Sequence, residues 1–277
     1  MGLYPAGTRI TRKCRLHKLK APQQKERDQR KVKLAGSLRQ TKKEASHYPN
    51  GAVIIPAFNE ADTIGSVIRS VHRHINLPVW VIDDGSTDAT RERALTAGAK
   101  VLSLPFQMGA WGATQTGLRY AHELQLEFVV TMDADGQHDA ASAQDLLNAV
   151  VSDEADVSLG TFEARGSNMR RAAWKLMRLA SGLDFRDPTS GYRAMNAKAV
   201  KALIGPAASI LDHQDIGVLI LLVRAQLRIR EVPVNMFPRR NGQSRIFSTW
   251  RLVFAYMIQT LSLALAKRPL RHNQQSK

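Results

Sequence analysis

From Gly51 onward, short apolar runs rich in β-branched residues alternate with amphipathic stretches. The run "AVIIP" is followed by a helical pattern from Ile64 to His72, "PVWVIDD" by one from Thr87 to Ala97, and "AKVLSLP" by one from about Ala110 to Glu123. The rhythm goes on with "EFVVTMD", a helix near Ala141 to Val151, and "ADVSLG". Five strands by residue 160 joined by helical crossovers predict an α/β fold with a mostly parallel, doubly wound sheet flanked by helices.

Beyond residue 160 the pattern loosens. A basic helix is expected near Met169 to Leu179, then the turn-rich "DFRDPTSGYR", a helix near Ile216 to Arg224 and a strand in "RIREVPVNMF". These read as covering elements of the same domain. Leu252 to Ala266 is apolar but short and carries Gln259, Thr260 and Ser262, so it predicts an interfacial or core-packed helix; a membrane span needs about 20 apolar residues.

Charge divides the chain differently. The 277 residues carry a formal +16, but residues 1–48 hold 14 Lys and Arg against 3 Asp and Glu and show no sustained apolar period. Such a segment reads as a basic tail, disordered or weakly helical, ahead of a domain over 49–247 and a basic, amphipathic C-terminal stretch over 248–277. No apolar stretch follows the first basic residues as in a signal peptide, and Ala6 stands where a myristoylation site has Ser or Thr, so a cytoplasmic location is expected. Cys14 is the only cysteine, which excludes an intrachain disulfide and any multi-cysteine metal or cluster site.

Carboxylates collect where the predicted strands end: "AFNEAD" after the first, "DDGSTD" after the second and "DADGQHD" after the fourth. In an open parallel sheet ligands bind at that edge, because neighbouring loops diverge there. Asn59, Asp62 and Ser86 also suit helix starts, and for Asn59 and Asp62 capping is an even alternative to a ligand role. Asp83 and Asp84 fit hydrogen bonding to a ribose or base. Asp133 and Asp135, at i and i+2, share a face if the segment is extended, and two unit charges about 4 Å apart at a surface-like dielectric repel by about 4 kcal/mol. A divalent cation reverses that sign. With Gln137 beside them the donors are all oxygen, which suits Mg²⁺ or Mn²⁺ completed by phosphate and water. His138 is either a further ligand or, as its chemistry favours here, a hydrogen-bonding group.

Arginines surround a glycine in "FPRRNGQSR", and their planar forks match phosphate oxygens. Gly109 and Gly112 open a helix, but "GAWGATQTG" lacks the lysine of a phosphate loop, and no G-x-G-x-x-G follows the first strand. A P-loop NTPase and a dinucleotide enzyme are therefore disfavoured.

Five segments, "IPAFNEADTI", "VIDDGSTDAT", "TMDADGQHD", "DPTSGYRAMN" and "EVPVNMFPRRNGQSR", occur in the order and spacing of a known family. Over residues 51 to 245, about 70% of the chain, the sequence resembles the family 2 inverting glycosyltransferases of GT-A fold, a Rossmann-like architecture, and among them the dolichol-phosphate mannosyltransferases and bacterial polyprenyl-phosphate glycosyltransferases. The resemblance implies that Pro56, Phe58, Glu60, Ile82 and Asp84 line a nucleotide pocket, that Asp133, Ala134 and Asp135 meet the diphosphate side, and that Asp133, Asp135 and Gln137 hold the cation. It implies that Arg171, Arg239 and Arg245 face the donor diphosphate or acceptor phosphate, with Arg245 standing where the family's R-x-x-G-x-S-K pattern has lysine. Phe162 replaces a frequent arginine, for which Arg165 is a candidate substitute, and "QMG" replaces a pattern that carries Asn.

The chemistry implied is attack by an acceptor oxygen on the anomeric carbon of a nucleoside-diphosphate sugar, with the leaving diphosphate stabilised by cation and arginines. A polyprenyl phosphate acceptor is already ionised and needs no protein base. A saccharide hydroxyl needs one, and Asp215 stands where related enzymes place it. The tail and the C-terminal helix favour peripheral association with the inner, anionic membrane face, each cation contributing about 1 kcal/mol. Two rival classes remain at this point. A nucleotidyltransferase would release pyrophosphate; a nucleic-acid binder using the tail is not expected, having no use for three carboxylate clusters.

Overall fold

The computed structural model describes residues 50–162, 182–211 and 216–238. The helix expectations at Met169 to Leu179 and Leu252 to Ala266 lie outside these residues, as do Arg165, Arg171, Asp215, Arg239 and Arg245.

Seven described strands form one sheet: β1 (Gly51–Ala57), β2 (Val79–Asp83), β3 (Lys100–Ser103), β4 (Phe128–Thr131), β5 (Val157–Thr161), β6 (Arg193–Asn196) and β7 (Ile229–Pro233). Their order is β3-β2-β1-β4-β6-β5-β7. All neighbouring pairs are parallel except those of β6, which runs antiparallel to both β4 and β5. The fold is thus the expected mixed, mostly parallel sheet flanked by helices, matching the architecture the GT-A resemblance implied.

Helices cover both faces, which is why the central strands are apolar on successive residues instead of alternating. One face packs Ile54, Ile82, Val129 and Leu159 under α3 (Gly109–Glu123), α5 (Ala197–Leu203) and α7 (Ile216–Arg224), with the short α6 (Pro206–Ser209) at their margin. The other packs Val53, Ile55, Val81 and Val130 under α1 (Ala61–His74), α2 (Thr90–Thr96) and α4 (Ala143–Val151). Helix α1 buries Ile64, Val67, Ile68 and Val71, one stripe at helical spacing. Helix α3 lies close to the sheet because Gly117 presents no Cβ; one added there would stand 2.6 Å from Ile54 Cγ2.

Strand β6 is the element the sequence pattern did not announce. "RAMN" is four residues long with no β-branched side chain, so its local preference for a strand is weak. Its partners impose it: Val129 and Val157 both pair with Met195 across a fully covered interior. Asp156 fixes its far end, accepting from Asn196 Nδ2 at 2.8 Å and from the Arg228 N–H at 2.8 Å. Burial works against that charge, but these hydrogen bonds outweigh it and hold the Asp156 carboxyl below the usual range.

Candidate active site

The carboxyl ends of β1, β2 and β4 share one edge of the sheet, with Ala57 in register with Asp83 and Ile54 with Thr131. Because β6 is antiparallel, its amino end arrives at the same edge: Thr131 pairs with Arg193, and the Thr131 hydroxyl donates to Gly191 O at 2.8 Å. The segment "DPTSGYR" therefore stands beside "TMDADGQHD", although Asp187 lies 54 positions after Asp133.

The first two loops are laced together. Asn59 Oδ1 accepts from Thr87 N at 2.8 Å, and the Asn59 N–H donates to Ser86 Oγ at 3.0 Å. Asp88 accepts from Ala61 N at 3.1 Å and from Thr90 N at 2.9 Å, so one carboxylate serves the first turns of both α1 and α2. Burial raises the pKa of Asp88 but is outweighed by the hydrogen bonds from the Thr90 hydroxyl and from the N–H groups of Thr90 and Ala61, which keep it low. The capping expectation for Asn59, Asp62 and Ser86 is corrected here. Asn59 and Ser86 tie the loops to each other, Asp62 pairs with Arg93 at 3.1 Å, and the capping falls to Asp88. Glu60 sits at the start of α1 with Oε2 accepting from the Thr63 hydroxyl at 2.9 Å. Pro56 and Phe58 are half-buried on and just after β1.

Asp83 and Asp84 are both buried. Asp83 accepts from Ser86 N at 3.0 Å and Ser103 Oγ at 3.2 Å. Asp84 accepts from Met108 N at 2.6 Å and Gly109 N at 2.9 Å, placing an anion at the amino terminus of α3. Ile82 is fully buried, its Cγ1 3.1 Å from where a Gly117 Cβ would stand. The expectation that Ile82 lines the pocket is thereby restricted: its side chain belongs to the core, leaving only its main chain near the edge.

After Thr131 the chain does not stay extended. It turns at Ala134 and Asp135, with Gly136 at φ +75°, a left-handed conformation that glycine adopts without a Cβ clash. The shared-face argument for Asp133 and Asp135 is corrected accordingly, since i and i+2 lie on one face only in an extended strand. Asp135 is buried and its Oδ1 accepts from Gln137 N at 3.0 Å; Ala134 is buried between them. Asp133 keeps its side chain 32% exposed. Gln137 O accepts from Phe237 N at 2.7 Å, and His138 bridges Met236, so the stretch leading into Pro238 is bonded to the acidic turn.

His138 is buried and hydrogen-bonds, as its chemistry favoured: its Nδ1 accepts from Asp133 N at 3.1 Å. Its ring stacks on Tyr192 with centroids 4.6 Å apart. The Tyr192 hydroxyl donates to Asp139 O at 2.8 Å, and burial, followed by the charges of Asp139 and Asp145, pushes that phenol far above its ordinary pKa. Tyr192 went unassigned in the sequence, where only its place in "DPTSGYR" marked it.

The oxygen-only donors at this turn suit a hard cation. Among the described residues no group of three His, Cys, Asp or Glu is assembled to cage a metal. Among the described residues, no helix is long and apolar enough to cross a membrane.

Comparison with known proteins agrees with this geometry. The family model described as glycosyl transferase family 2 matches residues 52–210. The chain is 29% identical over 210 residues to undecaprenyl-phosphate mannosyltransferase of Micrococcus luteus, covering 70% of this chain and 86% of that one. It is 27% identical over 209 residues to a UDP-N-acetylglucosamine–dolichyl-phosphate N-acetylglucosaminyltransferase of Methanococcus voltae, covering 66% and 83%. Among solved structures, glucosyl-3-phosphoglycerate synthase of Mycobacterium tuberculosis, in complex with Mn²⁺, uridine diphosphate and glucosyl-3-phosphoglycerate, shares the fold at TM-score 0.61 and 22% identity, over 85% of each chain.

Proposed function

Since the chain belongs to glycosyl transferase family 2 and is a glycosyltransferase, we propose that it moves a sugar, with inversion and in the presence of Mg²⁺ or Mn²⁺, from a nucleoside-diphosphate sugar to a polyprenyl phosphate. The observation that carries this reading is the convergence of Asp84, Asp133 and Asp135 with the "DPTSGYR" loop on one sheet edge. The nature of the acceptor is supported by the names of two relatives, each acting on a polyprenyl phosphate.

Each residue has work of its own. Pro56, Phe58, Glu60 and Asp84 frame the nucleoside end, and Asp84 also holds the β3–α3 loop against it. Asp133, Asp135 and Gln137 hold the cation, which when bound supplies positive charge to the leaving diphosphate. Ala134, a small residue between two acids, lets the diphosphate approach the turn. Arg171, Arg239 and Arg245 complete the anion site, and the bond between Gln137 O and Phe237 N anchors the stretch that leads to Arg239. Bond formation from the acceptor phosphate oxygen to the anomeric carbon is matched by loss of the nucleoside diphosphate, and no protein base is required because the acceptor is already ionised.

A screen of UDP- and GDP-sugars with Mn²⁺ or Mg²⁺, with and without a short polyprenyl phosphate, tests the proposal. Nucleoside diphosphate and a lipid-linked sugar should appear together, and Asp135→Ala should abolish both. Release of pyrophosphate would instead indicate a nucleotidyltransferase. Transfer only to a saccharide hydroxyl, lost in Asp215→Asn, would move the acceptor to the second class; with a lipid phosphate the same substitution should be mild.

A further inference from the structure

His138 stands five positions after Asp133, yet its one imidazole meets both the main chain and the carboxylate of that aspartate. Nδ1 accepts the Asp133 main-chain N–H at 3.1 Å, and Nε2 stands 3.7 Å from Asp133 Oδ2. The first contact decides the tautomer. A ring nitrogen that accepts an N–H carries a lone pair, so in the neutral imidazole the proton is on Nε2, the atom that faces the carboxylate. At 3.7 Å this is beyond a hydrogen bond and acts as a dipole directed at the charge.

The ring has little freedom to do otherwise. Its side chain is 1% exposed, it lies nearly parallel to Tyr192 at an interplanar angle of 13°, and the Tyr192 hydroxyl is itself tied to Asp139 O. Tyr192 in turn follows Gly191, whose carbonyl is held by the Thr131 hydroxyl at the end of β4. The support therefore comes from the segment that leads into the antiparallel strand β6, which is tied both to the end of β4 and to the residue after His138.

We propose that His138 is a positioning residue for Asp133, holding its main chain through the hydrogen bond to Nδ1 and biasing the orientation of its carboxylate through the Nε2–H dipole that faces it, so that the carboxylate is presented to the cation. This rests on the reading of Asp133 as a cation ligand. Groups that orient a ligating side chain in this way change metal affinity by about 10- to 100-fold when removed.

The test is Mn²⁺ titrated against the full-length chain with UDP and, separately, GDP, free Mn²⁺ being counted by electron paramagnetic resonance, alongside thermal denaturation and nucleotide binding without metal. Expected for His138→Leu is about a 10- to 100-fold loss of Mn²⁺ affinity, with metal-free nucleotide binding unchanged and turnover largely restored at saturating Mn²⁺. His138→Asn, whose Oδ1 can take the place of Nδ1, should recover much of that affinity. Wild-type Mn²⁺ affinity in His138→Leu overturns the proposal, and so does equal loss in the Leu and Asn variants in step with their melting temperatures. If the wild type binds no Mn²⁺ with either nucleotide but still releases nucleoside diphosphate from a donor, the cation reading and this proposal fall together while the glycosyltransferase reading stands.

Discussion

Asp84 shows how much one carboxylate can be asked to do. Both its oxygens accept main-chain N–H groups, from Met108 and Gly109, at the start of a 15-residue helix where an anion is favoured by the exposed donors and the helix dipole. Each oxygen keeps a further lone pair, which the proposed function would direct to a nucleotide. Removing the carboxylate should therefore cost stability before any ligand is considered. Asp84→Ala is expected to destabilise the fold by about 1–2 kcal/mol, the range for loss of a helix cap. Asp84→Asn should cost less, since its amide oxygen still accepts one of the two bonds. Urea denaturation followed by circular dichroism reads both, and an unchanged midpoint for Asp84→Ala would show that these contacts contribute nothing net.

Among the elements, α3 depends on a small residue where it crosses β1 and β2. Alanine in place of Gly117 gains about 1 kcal/mol of helix propensity. Its Cβ, however, would meet Ile54 Cγ2 at 2.6 Å and Ile82 Cγ1 at 3.1 Å. Those atoms are bonded directly to the branched Cβ of each isoleucine, close to the main chain in a fully covered sheet, and cannot swing aside cheaply, and overpacking of this kind costs about 1–3 kcal/mol. The contact wins, so Gly117→Ala should lower the melting temperature and Gly117→Leu should lower it much further. A rise in melting temperature for the alanine variant would mean that the helix moves outward at little cost.

For the molecule as a whole, charge is as consequential as fold. Residues 1–48 carry a net +11 of the total +16. With each Lys or Arg near an anionic leaflet contributing about 1 kcal/mol, a few engaged residues suffice for reversible binding. Deleting residues 1–48 should reduce sedimentation with vesicles containing phosphatidylglycerol by tenfold or more, and raised salt should do the same to the full chain. Release of nucleoside diphosphate from a soluble donor should be unaffected. Vesicle binding that survives both changes would assign membrane contact to the segment from 248 to 277.

By itself the sequence determined the layered α/β order and the edge at which chemistry gathers. Those features are local: apolar runs such as "VWVI" and "FVVT" define strands, and the polar residues directly after them must emerge at the strand ends. The acidic cluster of Asp133 and Asp135 was legible for the same reason, although not the turn that carries it. Only the tertiary structure decided that "RAMN" is a strand between β4 and β5, that Ile82 faces the core, that Asp88 and not Asn59 serves the helix starts, and that Tyr192 backs His138. Apart from the local bond of Asp88 to Thr90, each of these depends on partners 20 or more residues away, where pairing and burial outweigh local preference, and such contacts leave no period in the chain to read.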